Sequence, residues 1–326
     1  MRAAVVEEFG QTPHLVEVDK PAPENGKQVA RVRAAALKNI ERMLASGEHY
    51  GAAHMKMPMT VGLDAVVELD GDLVYTGATP PEGAMAEFMS IDPDQVVRLP
   101  VGVDPATAAA LPNAAVSAWF ALEYVGRIEP GQNVLILGAT GVTGSLAVQL
   151  AKHRFQAGNV IACGRSDESL AKLRERGADD TVRIGDEVGE NFQQQIRELH
   201  DARPIDLVLD YLWGPPAEHA LRALANEELT AEFHRTRFVQ VGEMAGANIE
   251  LPASVLRSAG VELVGQGAGS VPKEAFATIY TDVFPGIFDQ LSRGLLTIDT
   301  VTRPLTQVSE AWHEALPSGV RLVFEP

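Results

Sequence analysis

Two regimes of apolar spacing divide the chain near residue 100. Before it, short apolar runs at 3–7, 28–34, 61–68, 84–90 and 95–99 are punctuated by glycine and proline, which predicts strands. One amphipathic stretch, 37–46, interrupts them with helical spacing. From residue 106 the spacing turns helical through 122. Apolar runs opened or centred at Val134, Val160, Asp180, Ile205 and Phe238 then alternate with helical segments centred on Leu146, Leu170, Ile196 and Leu221. Unbroken apolar runs of this length suit parallel strands covered on both faces. Their alternation with helices predicts right-handed crossovers and a doubly wound parallel sheet, hence an α/β fold. Farther on, the pattern predicts a helix over 273–291, a strand near Thr300, a helix around Glu310 and a closing strand over 320–324.

The turn after the Val134 run carries the first candidate chemistry. Gly138, Gly141 and Gly144 follow the strand at spacings of three, with Thr140, Val142 and Thr143 between them, and a helix begins there. Glycine permits a tight turn, close approach of backbone to a pyrophosphate, and close packing of helix on strand; unpaired N–H groups at the helix start complete an anion site. The pattern alone also fits a tight turn in any α/β protein, and the strand before it with the helix after it favours nucleotide binding.

The next strand bears on which nucleotide binds. Twenty residues beyond Gly144 stand Gly164, Arg165 and Ser166. An acid at this point binds ribose hydroxyls in NAD sites, whereas an arginine accommodates a 2′-phosphate. Asp167 and Glu168 are the alternative ribose ligands, although both suit the first turn of a helix capped by Ser166. The expected cofactor is NADPH.

Composition narrows the class. The 326 residues suit two domains, and 46% apolar with 22% charged residues is ordinary for a globular enzyme. A formal charge of −17 argues against nucleic-acid partners. The single cysteine, Cys163, excludes an internal disulfide and reads as a small buried hydrophobe. No apolar run reaches membrane-spanning length and none resembles a leader, so a cytoplasmic protein without membrane contact is expected.

The β-rich front, the segment from Leu111 to Leu122, the cradle from Gly138 to Gly144 and the ending Gly319-Val-Arg-Leu-Val323 together resemble the zinc-independent medium-chain dehydrogenases/reductases of quinone oxidoreductase type. The resemblance implies a GroES-like catalytic domain over 1–114, a Rossmann domain over 115–272 and a return to the catalytic domain over 273–326. It implies hydride transfer to a small quinone or α,β-unsaturated carbonyl. A nucleotide-binding sensor or scaffold without turnover, or an enoyl-thioester reductase, are the alternatives. It also implies a homodimer through an apolar sheet edge between Val261 and Val264.

Zinc-dependent relatives carry Gly-His-Glu where this chain has Gly62-Leu63-Asp64, and its eight histidines show no ligand spacing, so no metal is expected. No tyrosine is followed four residues on by lysine, which excludes short-chain reductases. Where relatives have Asn-x-x-Asp facing the nicotinamide, this chain has Lys38 and Glu41, with Asn39 substituting if the register slips by one. Lys38 reads either as a cation for the substrate carbonyl or as half of a surface ion pair with Glu41. Tyr50 falls near the family's substrate pocket, Ser117 matches a carboxamide contact, and Gly242, Gly265 and Gly267 fall where backbone lines the nicotinamide.

Overall fold

The computed structural model describes every residue except Asn25, Asp186, 227–231 and Ala268, together with the side chain of Tyr50. The chain divides into two units, Met1–Asn113 with Tyr280–Pro326, and Ala114–Ile279.

The first unit opens with β1 (Arg2–Val6), β2 (His14–Glu17), β3 (Gln28–Leu37), α1 (Asn39–Ser46), β4 (Met59–Thr60), β5 (Asp64–Leu69), β6 (Asp72–Gly77), β7 (Phe88–Ile91) and β8 (Val96–Arg98). β2, β4 and β6 are additions to the sequence expectation. Of the run over 61–68, β5 takes up only the part from Asp64, and only the end of the run over 84–90 pairs, as β7. β5 and β6 form a hairpin across Asp70 and Gly71, whose φ angles of 51° and 89° match the twist of the paired strands. Pro112 then divides the helical stretch predicted over 106–122 into α2 (Pro105–Ala110) and α3 (Pro112–Phe120); a proline is tolerated only at a helix start.

The second unit is built on β9 (Asn133–Leu137), β10 (Asn159–Gly164), β11 (Asp180–Arg183), β12 (Leu207–Asp210), β13 (Arg235–Gln240) and β14 (Gly260–Gly265). All pairings are parallel, in the order β11-β10-β9-β12-β13-β14. The order reverses direction beside β9, and in such sheets ligands bind at the carboxyl ends of the strands flanking that point. The crossovers include α4 (Val142–Gln149), α5 (Asp167–Glu175), α6 (Glu190–Ala202) and α7 (Gly214–Ala223). Leu135, Ile161, Val208 and Phe238 from the sheet bury against Phe192, Ile196 and Leu221. Cys163 is fully buried on β10, and burial pushes its thiol well up.

The helix predicted over 273–291 is broken into Lys273–Ala277, a wide turn over Ile279–Val283, and Phe284–Ser292. The unit boundary falls within it, at 279/280 rather than at 272/273. Phe276 stands edge-on to Phe120 at 5.5 Å and Thr278 meets Tyr124 at 3.1 Å, so these residues remain packed on the second unit. The chain then returns with β15 (Asp299–Pro304) and β16 (Val320–Glu325). β16 lies parallel to β15 and antiparallel to β3, and completes a sheet in the order β15-β16-β3-β5-β6-β8, with β7 also on β3. Phe324 of β16 and Trp312 bury against Val67 and Met85 of the first unit's core. Among the described residues, no helix is long and apolar enough to cross a membrane.

Candidate active site

The turn after β9 has the geometry a phosphate cradle requires. Gly138 adopts φ 81°, a conformation side chains disfavour, and its N–H and that of Ala139 both donate to the Cys163 carbonyl, at 3.1 and 2.8 Å. Gly141 caps α4 without a side chain, leaving the first turn through Val142 and Thr143 without an intrahelical acceptor for its N–H groups. A Cβ on Gly144 would stand 2.3 Å from the Gly138 carbonyl oxygen. Only glycine lets the helix approach its strand this closely. Gly164, at the end of β10, is held equally tightly, since a Cβ there would meet the Thr140 side chain at 2.3 Å.

Beyond Gly164 the chain reaches the surface. Arg165 is exposed and its guanidinium makes no ion pair among the described residues, while Ser166 caps α5 by accepting the Ser169 N–H at 3.2 Å. The two acids weighed as ribose ligands are engaged elsewhere. Asp167 lies 3.8 Å from Arg183, and Glu168 lies 3.2 Å from Lys172.

The ends of β12, β13 and β14 lie along the same edge of the sheet. Gly242 donates its N–H to the Asp210 carbonyl, and a Cβ on it would stand 2.8 Å from the Tyr211 carbonyl oxygen. Gly265 and Gly267 are exposed and open, with nothing within 4 Å of a Cβ. The fold itself therefore demands glycine at 242 and not at 265 or 267. Ser117 is half-buried on α3. Asp210, which sequence reasoning passed over, is fully buried: Oδ1 accepts the Leu212 and Trp213 N–H groups at 2.9 and 3.0 Å, and Oδ2 has no partner among the described residues. Burial raises its pKa to about 6 against those two hydrogen bonds. Trp213 beside it holds φ 55°, a strained conformation for a bulky residue.

The first unit carries the other cluster. Lys38 caps α1, and its side chain is 2% exposed. Its Nζ lies 2.7 Å from Asp64 Oδ1 and 2.8 Å from Glu41 Oε1, both acids being buried as well. The Lys38 backbone N–H donates to Glu41 Oε2 at 3.0 Å, and the buried Tyr75 hydroxyl hydrogen-bonds to Asp64. Burial pulls the ammonium pKa down, but attraction from Asp64 and then Glu41 outweighs it and leaves the pKa raised. Glu41 is raised by burial, which prevails over its attraction to Lys38. Burial likewise holds the Tyr75 phenol well above its ordinary range.

This corrects the sequence reading of Lys38. The expected surface pair with Glu41 exists but is buried and shared with Asp64, and the ammonium is engaged by two carboxylates rather than free for a carbonyl. Asn39, the first residue of α1, is exposed. Tyr50 opens a short helical turn, Tyr50–His54, and its side chain lies outside the described residues. Asp64 and Tyr75 escaped the sequence reading. An acid between the apolar residues of Gly62-Leu63-Asp64-Ala65-Val66 was the available signal.

The second unit is a doubly wound sheet with a glycine cradle at its reversal point, and the first is a β-rich unit that the C-terminal segment completes. The family described as zinc-binding dehydrogenase matches residues 142–278. A probable NADPH-dependent quinone reductase of Emericella nidulans is 26% identical over the full length of both chains. Quinone oxidoreductase-like protein 2 of Bos taurus is 29% identical over 84% of this chain and 77% of its own. The fold matches the solved quinone oxidoreductase of Thermus thermophilus with a TM-score of 0.79, 24% identity and full coverage of both chains. Over its full length the chain is therefore similar to the medium-chain dehydrogenases/reductases of quinone oxidoreductase type.

Proposed function

We propose that the protein is an NADPH-dependent oxidoreductase that reduces a quinone or an α,β-unsaturated carbonyl without a metal. The observation that carries this reading is the cradle, in which Gly144 leaves room that any Cβ would fill, with Arg165 standing beyond the next strand and making no ion pair among the described residues. The full-length relative described as a probable NADPH-dependent quinone reductase supports the choice of cofactor. When bound, the cofactor supplies the hydride, and the acceptor takes it up with one proton to give the reduced product. The N–H groups of the α4 first turn hold the pyrophosphate, Arg165 holds the 2′-phosphate, and Ser117, Gly242, Gly265 and Gly267 line the nicotinamide. Asn39 presents a neutral hydrogen-bonding group at the start of α1, and Lys38 positions that helix start through its two ion pairs.

Metal independence rests on the same lysine. Two buried carboxylates converging on one point are the donor set of a cation site, and the Lys38 ammonium already supplies the cation there. Dialysis against a chelator is expected to leave activity and melting temperature unchanged, whereas stoichiometric zinc by elemental analysis would contradict this. The proposed assembly is a homodimer through β14, which ends the six-stranded sheet.

Steady-state NADPH oxidation against quinones, enals and enoyl thioesters tests the reaction. Turnover with quinones or enals is expected; turnover confined to thioesters would move the assignment to enoyl-thioester reduction. Binding of NADPH without turnover on any acceptor would favour a sensor or scaffold. Calorimetry is expected to show NADPH binding at least about tenfold tighter than NADH, a gap that Arg165→Ala removes, as for loss of one charge-assisted contact. Equal affinities in the parent protein would overturn the cofactor assignment.

A further inference from the structure

We propose that Arg183 acts as an electrostatic mask, holding Asp167 so that the edge of β10 presents Arg165 alone and thereby selects a nucleotide carrying a 2′-phosphate. The inference rests on the nucleotide assignment above and names the residue that sets its selectivity.

The sequence at this edge is ambiguous by itself. Arg165 favours a phosphate, while Asp167 and Glu168, within three residues of it, repel one and suit the bare ribose hydroxyls. The fold resolves the conflict by pairing. β11 runs parallel to β10 with Arg183 in register with Gly164, so its side chain emerges beside the start of the Arg165 loop. The Arg183 Nε donates to the Arg165 carbonyl at 3.3 Å and lies 3.8 Å from the Asp167 carboxylate. It thus pins the backbone of the selective residue and neutralises the acid that would oppose it. Glu168 is neutralised separately by Lys172, one helical turn on, at 3.2 Å. Of the charges at this edge, Arg165 is the one without an ion-pair partner among the described residues. Arg183 and Asp167 keep 56% and 76% of their side-chain surface exposed, so a nucleotide at this edge would meet either charge if the other were removed.

Calorimetric titration of NADPH and NADH into the parent, Arg183→Ala, Asp167→Asn and the double variant tests the mask. Freeing Asp167 in Arg183→Ala should weaken NADPH by about fivefold, the scale of one exposed charge contact, and leave NADH unchanged or tighter. Adding Asp167→Asn restores the parent's local net charge and should return NADPH to within about twofold of the parent. The mask is overturned if Arg183→Ala leaves the NADPH to NADH ratio unchanged. It is also overturned if the double variant stays as weak as the single one, because Arg183 would then be a phosphate ligand in its own right. A parent without preference between the cofactors defeats the nucleotide assignment and the mask together; a discriminating parent with an unaffected Arg183→Ala defeats the mask alone. Melting temperatures of the four proteins should agree closely, since the pair is exposed.

Discussion

Lys38 shows how one side chain can be structural for an electrostatic reason. The ammonium, 2.7 and 2.8 Å from two buried carboxylates, is their direct ion-pair partner, and removing it strands them. Lys38→Ala is therefore expected to cost about 3–5 kcal/mol in urea unfolding at pH 7, the scale of leaving buried charge unpaired. Lowering the pH should recover part of that loss, because the stranded carboxylates can take up protons; a loss of only a few tenths would contradict the buried triad. Asp210 titrates in a different window. Its folded pKa of about 6 lies above its ordinary 3.8, so the folded state binds the extra proton between those values and stability falls as pH rises through them. Asp210→Asn should flatten that slope, on the order of 3 kcal/mol across the window, as read from unfolding curves at pH 4, 5, 6 and 7. A slope unchanged by the substitution would place the titration elsewhere.

Among the elements, the β9–α4 turn is the least forgiving. Gly144→Ala places a methyl group 2.3 Å from the Gly138 carbonyl, which forces helix and strand apart and should cost about 1–3 kcal/mol of stability. NADPH affinity should fall by at least about tenfold, because the N–H groups of the first turn move with the helix. Normal affinity by calorimetry would show that the cradle is not the binding element. This turn was legible in the sequence because its strand is buried on both faces and reads as an unbroken apolar run. β6 went unread although Asp70-Gly71 is a strong hairpin signal, since its own residues mix Asp72, Tyr75 and Thr76 with few aliphatics. With β6 went Tyr75, and with it one partner of Asp64. The candidate site was thus readable where local turn chemistry dictates it, in the cradle. It was obscure in the charge cluster, where Asp64 and Tyr75 are brought to Lys38 and Glu41 only through strand pairing.

For the whole molecule, the proposed dimer would use β14, one of the two edges of the parallel sheet. β14 pairs with β13 on one side only, and Leu263 on it is 40% exposed. If two copies join there, light scattering should give twice 34.9 kDa, and Leu263→Lys should return the protein to monomer mass by placing a charge on the edge. A monomeric parent at micromolar concentration would remove the dimer from consideration.

The place of β16 has a consequence for how the chain comes off the ribosome. This strand lies between β15 and β3 and contributes the fully buried Phe324 to the first unit's core, yet it follows the whole second unit in order of synthesis. The second unit can therefore close as soon as it emerges, while the first unit must wait, with part of the β3 edge bare, for β16 to arrive.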